Sequence, residues 1–163
     1  CIKLNTRRKF TQNNASFHGY DQTNGTTAGV LGGIACAGIS LTAIFPKFTD
    51  NNNFSYITRA SGAAGYSPTN PQGLHSITRN NSSTVNVLLK GVNQVSGGTM
   101  ASMAISSTIV FACASKDGAT TLATNFTAHP VSLIAWGAYM TDAQVLVFNN
   151  LTQTYFTVLG INV

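Results

Sequence analysis

Residues 139–160, YMTDAQVLVFNNLTQTYFTVLG, decide how the chain is read. Gln144 follows Thr141 by three residues, the spacing of a capping box in which each side chain satisfies the other residue's backbone N–H. Asp142 stands beside the positive end of the helix dipole. Val145, Phe148, Leu151 or Thr152, Tyr155 and Leu159 recur at helical spacing as the inward stripe. Asn149, Asn150, Gln153 and Thr157 point away, and Gly160 is a natural stop. The pattern predicts one helix from Thr141 to about Gly160, with a moderately wide apolar stripe, lying on the outside of a β structure.

Working backwards from that helix, the chain reads as short strands separated by turn chemistry. FSYITR (54–59), LHSITR (74–79), TVNVLLK (84–90), STIVFACA (107–114) and VSLIAWGA (131–138) are the segments. In TVNVLLK, Val85, Val87 and Leu89 point one way, and Gly91 permits a tight turn after it. The uncharged run 28–45, AGVLGGIACAGISLTAIF, is nearly long enough to span a bilayer. It is diluted by glycine, however, and its second half alternates Ile39, Leu41, Ala43 and Phe45 against Gly38, Ser40, Thr42 and Ile44, the period of a strand. No membrane span is expected. Many short strands followed by one capped helix argue an all-β chain, an antiparallel β-sandwich.

Composition limits the chemistry. At 163 residues the chain suits one domain. Charged residues are 8% and hydrophobic ones 44%, so a core is affordable and solubility rests on amides and hydroxyls. Of nine basic residues, Lys3, Arg7, Arg8 and Lys9 supply four, and beyond residue 10 the chain is close to neutral. Residues 1–14 are therefore expected to be a basic arm or linker and 15–163 the domain, with no nucleic-acid partner. Cys1, Cys36 and Cys113 lack metal or redox spacing, and the latter two are expected to be reduced and buried in strands. No initiator Met precedes Cys1, which suggests a piece of a longer polypeptide.

The order TRNNSSTVNVLLKGVNQV, STIVFACASKDG, FTAHPVSLIAWGAYMTDAQVLVFNNLTQTYFTVLG resembles the C-terminal part of concanavalin A-like (LamG-type) jelly-roll domains of phage and bacterial surface proteins. Gly137 to Gln144 match the last turn and helix start of such domains, and FHGYDQTNGTT resembles their opening. The resemblance spans about residues 15–160. It departs at Lys90-Gly91, where Asn-Gly is typical, and at Trp136, where a smaller residue is usual. It implies a jelly-roll fold. It also implies a non-enzymatic role on a bacteriophage virion, as head decoration, fibre or tail domain, assembling with other virion proteins or copies of itself, with host-cell glycans as further contacts. A carbohydrate-binding module of a secreted bacterial enzyme or adhesin is the alternative.

Glycosidases need two carboxylates flanking the scissile bond. This chain has no glutamate and four aspartates, Asp21, Asp50, Asp117 and Asp142, well apart in sequence. No enzyme activity is expected. His18, His75 and His129 show no metal spacing, and TDNNN (49–53) reads as a polar turn, so no metal or other cofactor is expected either. For a sugar ligand, the best local cluster is Tyr66 in the loop 60–73, with Arg59 and Asn70 beside it, because an aromatic face covers a sugar ring while amides satisfy its hydroxyls. The competing reading has Tyr66 packing on its own domain and Trp136 filling space beneath the helix.

Overall fold

A computed structural model describes residues 3–4, 11–22, 32–35, 41–46, 53–60, 64–104, 110–112, 115–116, 123–124 and 130–161. In chain order the strands are β1 (Lys3–Leu4), β2 (Ala15–Asp21), β3 (Gly32–Ala35), β4 (Leu41–Phe45), β5 (Asn53–Arg59), β6 (Ala64–Tyr66) and β7 (Gly73–Arg79). They continue with β8 (Thr84–Leu89), β9 (Val92–Thr99), β10 (Val110–Ala112), β11 (Ser115–Lys116), β12 (Ala123–Thr124) and β13 (Val131–Gly137), before helix α1 (Asp142–Val158). All pairings are antiparallel, in a six-stranded sheet β1-β10-β3-β4-β5-β6, a five-stranded sheet β13-β2-β7-β8-β9 and the small pair β11-β12. The chain is thus mostly antiparallel β with one C-terminal helix. Lys3–Leu4, within the segment read as an arm, pairs with β10 at the edge of the larger sheet.

Alternation along β2 explains how the layers stack. Phe17 pairs with Ile77 on one side and Trp136 on the other, and all three turn inward. With Val85 and Val87 they meet Ile44, Ile57 and Ala64 from the larger sheet in one core. Each fully buried Val, Ile or Phe side chain among them stabilises the fold by about 1.5–3 kcal/mol. The intervening residues of β2, Ser16, His18 and Tyr20, face the opposite way, toward α1. Tyr20 and Leu74 there take Phe156 of the helix, with the rings of Tyr20 and Phe156 edge to face at 4.9 Å. The order of layers is sheet, sheet, helix.

The helix begins as expected. Thr141 Oγ1 accepts from Gln144 N, and Gln144 Oε1 accepts from Thr141 N at 2.9 Å, completing the capping box. Gly160, at φ +69°, ends it. Its buried face differs from the expected stripe: Val145, Asn149, Thr152 and Phe156 point inward, while Leu151, Tyr155 and Leu159 are exposed. Two anchors set this rotation. Phe156 enters the gap at Tyr20 and Leu74, and Asp142 accepts from Asn86 Nδ2 at 3.0 Å and Asn93 Nδ2 at 2.7 Å, fixing the first turn to β8 and β9. Asn149 Nδ2 donates to Asn150 Oδ1 at 3.2 Å, while its buried Oδ1 has no hydrogen-bond partner among the described residues.

The hairpin β8–β9 turns at Lys90 (φ +54°) and Gly91 (φ +76°), the left-handed pair of a two-residue turn. An added Cβ at Gly91 would lie 2.7 Å from Leu146 Cα, so this glycine also lets α1 approach the turn. The run 28–45 contains β3 and β4, and among the described residues no helix is long and apolar enough to cross a membrane.

Candidate functional site

Among the described residues, the rotation of α1 leaves apolar side chains of the helix exposed. The helix crosses the five-stranded sheet: its first turn is held by Asn86 and Asn93 of β8 and β9, Phe148 meets His18 on β2, and Phe156 packs with Tyr20, Leu74 and Leu133, so the end of β13 around Ala135 and Gly137 lies open beside the helix. Between them runs an open, mainly apolar groove of about 750 Å³. Ser16, His18, Ala135 and Gly137 form its floor, Val147, Phe148 and Leu151 one wall, and the turn through Tyr139 and Met140 its end. The floor is shallow because β13 carries Ala135 and Gly137 on this side. Val147, Leu151, Tyr155 and Val158 continue the apolar surface along the helix, from 58% to 79% exposed.

His18 is the one titratable group on the groove floor, and it is sheltered. Its Nδ1 lies 2.8 Å from Ser76 Oγ, its ring meets Phe148, and burial pushes its pKa down to about 4. The imidazole is neutral at ordinary pH. Its Nε2 is buried without a hydrogen-bond partner among the described residues. Ser16 Oγ donates to Ala138 O at 2.8 Å and is occupied as well. What the groove offers a partner is apolar contact, with no poised acid, base or nucleophile.

Tyr66, chosen from the sequence, turns toward the shared core, its hydroxyl 3.4 Å from His75 Nδ1 and its pKa raised by burial. Asn53 Nδ2 lies 3.3 Å from the same nitrogen and His75 Nε2 reaches Pro71 O, which places the imidazole proton on Nε2. Asn70 is exposed, and its Oδ1 accepts from Gln72 N at 3.0 Å in a local turn. Arg59 ends β5, where its backbone pairs with Leu41; its side chain lies outside the described residues. Tyr66 and Asn70 are thus engaged in separate structural contacts. Asn53, from TDNNN, is buried and also accepts from Ser55 Oγ at 3.0 Å, while residues 49–52 lie outside the described ones.

Trp136 fills space as expected but in the core between the sheets, 6.4 Å from Phe17, and it touches the end of the groove. The three cysteines, His129, Asp50, Asp117 and Arg7 to Lys9 lie outside the described residues. Among the described residues no three His, Cys, Asp or Glu come together. The groove itself escaped sequence reasoning. Its one signal was a surplus: Leu146, Val147, Leu151, Tyr155, Val158 and Leu159 are more apolar positions than a single buried helix face needs.

No family model, curated protein or solved structure matches the chain.

Proposed function

We propose that the chain is a non-enzymatic structural domain that works by assembly, a concanavalin A-like jelly roll on the surface of a bacteriophage virion. The observation that carries the assembly reading is the α1–β13 face, where among the described residues an exposed apolar helix stripe lies beside an edge strand that contains neither charge nor proline. Natural domains blunt or cover such edges. Apolar patches of this kind mark contacts with other macromolecules. Two sheets sharing one core, with a helix after the last strand, support the jelly-roll assignment, and the virion setting follows from the sequence resemblance.

The placement of the described acids supports the absence of catalysis. Asp21 is fully buried at the end of β2, and Asp142 is held by two asparagines at the start of α1. Glycan contact is a lesser role here, because the groove is mainly apolar and Tyr66 is turned inward.

Antibody raised against the folded domain should decorate intact virus particles purified from the producing culture. Label found only in the secreted or cellular fraction overturns the virion setting. Reducing sugar released from a polysaccharide panel, and lost on changing one aspartate to asparagine, overturns the non-enzymatic reading.

A further inference from the structure

We propose that α1 is an acid-sensitive clasp: it lifts from the five-stranded sheet as a unit while the two sheets stay packed, and protonation of His18 favours the lifted state. Such a clasp works whatever the domain assembles with.

The chain has two cores of unequal weight. Among the described residues, the cluster between the sheets draws on β2, on β4 to β9, on Met100 and on β13, and contains no residue of α1. The helix belongs to a smaller cluster, in which Phe156 packs on Tyr20 and Leu74, with Leu133, Phe148 and Ile161 around them. Lifting the helix dismantles the smaller cluster and leaves the larger one closed. An element held by few buried contacts of its own opens at lower free energy than the core it rests on.

Little hydrogen bonding holds the helix down. His18 Nε2, Thr78 Oγ1 and Asn149 Oδ1 are buried without a partner among the described residues. Thr78 shares the face of β7 that carries Leu74, and Asn149 is on the buried side of α1, so no hydrogen bond at these three atoms is lost when the seam opens. Among the described residues, the side-chain bonds across the seam are those of Asn86 and Asn93 to Asp142 and of Gln153 to Tyr20.

His18 makes the seam respond to acid. It is faced by Ser76 of β7, whose Oγ lies 2.8 Å from Nδ1, by Phe148 of α1, and by Ala135, its partner in register on β13. Tyr20, the next titratable group on this face of β2, has its pKa raised by burial, and Tyr139 stands at the end of the groove. Asp21, His75 and Arg79 fall on the opposite face of the sheet, and Asp142 is held at β8 and β9. No described carboxylate therefore faces the imidazole. A second proton makes both ring nitrogens donors, and Nε2 has no acceptor among the described residues. Lifting Phe148 gives the imidazolium water. With a docked value of about 4 against 6.5 in water, the opening constant rises about 70-fold from pH 7.5 to pH 4.5. Opening uncovers Tyr20, Leu74 and Leu133 on the sheet and Phe156 on the helix, so acid bares a face that is sealed at neutral pH.

A lone helix of 17 residues is marginal in water, so lifting exposes its amides to exchange. Amide hydrogen exchange of the full chain, corrected for the intrinsic rate at each pH, reads this directly. At pH 7.5 protection in α1 should be at least about 10-fold lower than in β2 and β7. Opening of α1 should rise about 70-fold at pH 4.5, and in His18→Gln that rise should shrink to a few-fold. Helix amides as protected as those of β2 and β7 would mean that α1 opens only with the whole domain, and overturn the proposal. A helix indifferent to pH, or a full acid response in His18→Gln, does the same. The imidazole resonances of the parent protein give a check that needs no variant: His18 should remain neutral at pH 5.5, and titration near 6.5 overturns the clasp.

Discussion

The imidazole of His18 meets the ring of Phe148 edge to face, with centroids 5.2 Å apart. One residue belongs to the second strand and the other to the helix after the last strand, so this contact ties widely separated parts of the chain across the floor of the groove. It also removes His18 from water, which gives the protein a dependence on acid.

The folded chain holds His18 at about 4, below its ordinary 6.5. Between those values the unfolded chain binds a proton that the folded one refuses, so stability is complete above pH 6.5 and falls as pH drops toward 4. The expected loss at pH 4.5 relative to pH 7.5 is about 2–3 kcal/mol. Urea unfolding at the two pH values reads it. In His18→Gln the difference should shrink by that amount; an equal difference in variant and parent would assign the acid sensitivity elsewhere.

Gly91 and Gly97 both adopt left-handed backbone, at φ +76° and +63°. A methyl group at Gly97 meets nothing within 4 Å, whereas at Gly91 it strikes the backbone of Leu146. Gly97→Ala should therefore cost only the backbone strain, about 1–2 kcal/mol. Gly91→Ala should cost about 3 kcal/mol or more, because α1 must also shift. Equal losses in denaturant titrations would mean that α1 does not rest on the turn.

Arg79 is fully buried, its Nη2 donating to Met100 O at 2.7 Å and its Nη1 to Asn81 O at 3.2 Å. It clamps the two ends of the β8–β9 hairpin. Burial lowers its pKa to about 10, so it stays charged at neutral pH. Lysine lacks the fork that reaches both carbonyls, and Arg79→Lys should cost about 2–4 kcal/mol. Hydrogen exchange should accelerate across Thr84–Thr99 more than along β2. Uniform acceleration would argue against a local clamp.

Where local chemistry and tertiary packing agree, the sequence was a sound guide. The capping box at Thr141 and Gln144, the turn at Gly91 and the strands expected at 54–59, 74–79, 84–90 and 131–138, which form β5, β7, β8 and β13, all depend on near neighbours. Strand β2 carries no clear signal, although it is paired on both sides in its sheet: Ser16, His18 and Asp21 look polar, and only their partners in space make them buried. Strand β9, VNQVSGGT, is too glycine-rich and exposed to alternate cleanly.

The rotation of α1 departs from its hydropathy for a related reason. Hydropathy counts side chains without knowing which anchors fix the helix, and here Phe156 and Asp142 set the angle and carry Asn149 and Thr152 to the buried side. The Tyr66 cluster looked open because its loop is polar. Nothing nearby in sequence announces the imidazole of His75, which draws the phenol inward.

The bond from Ser16 to Ala138 joins positions 122 residues apart. As the chain is synthesised, β2 pairs on one side once β7 has emerged, yet its other edge and the ring of Tyr20 wait for β13 and α1, far behind. For that interval the nascent protein carries an unprotected strand and a naked aromatic, and crowded neighbouring chains on the same message compete for both. Slow translation before residue 130 should lower the yield of soluble protein, whereas supplying residues 130–161 in trans as a peptide should rescue it.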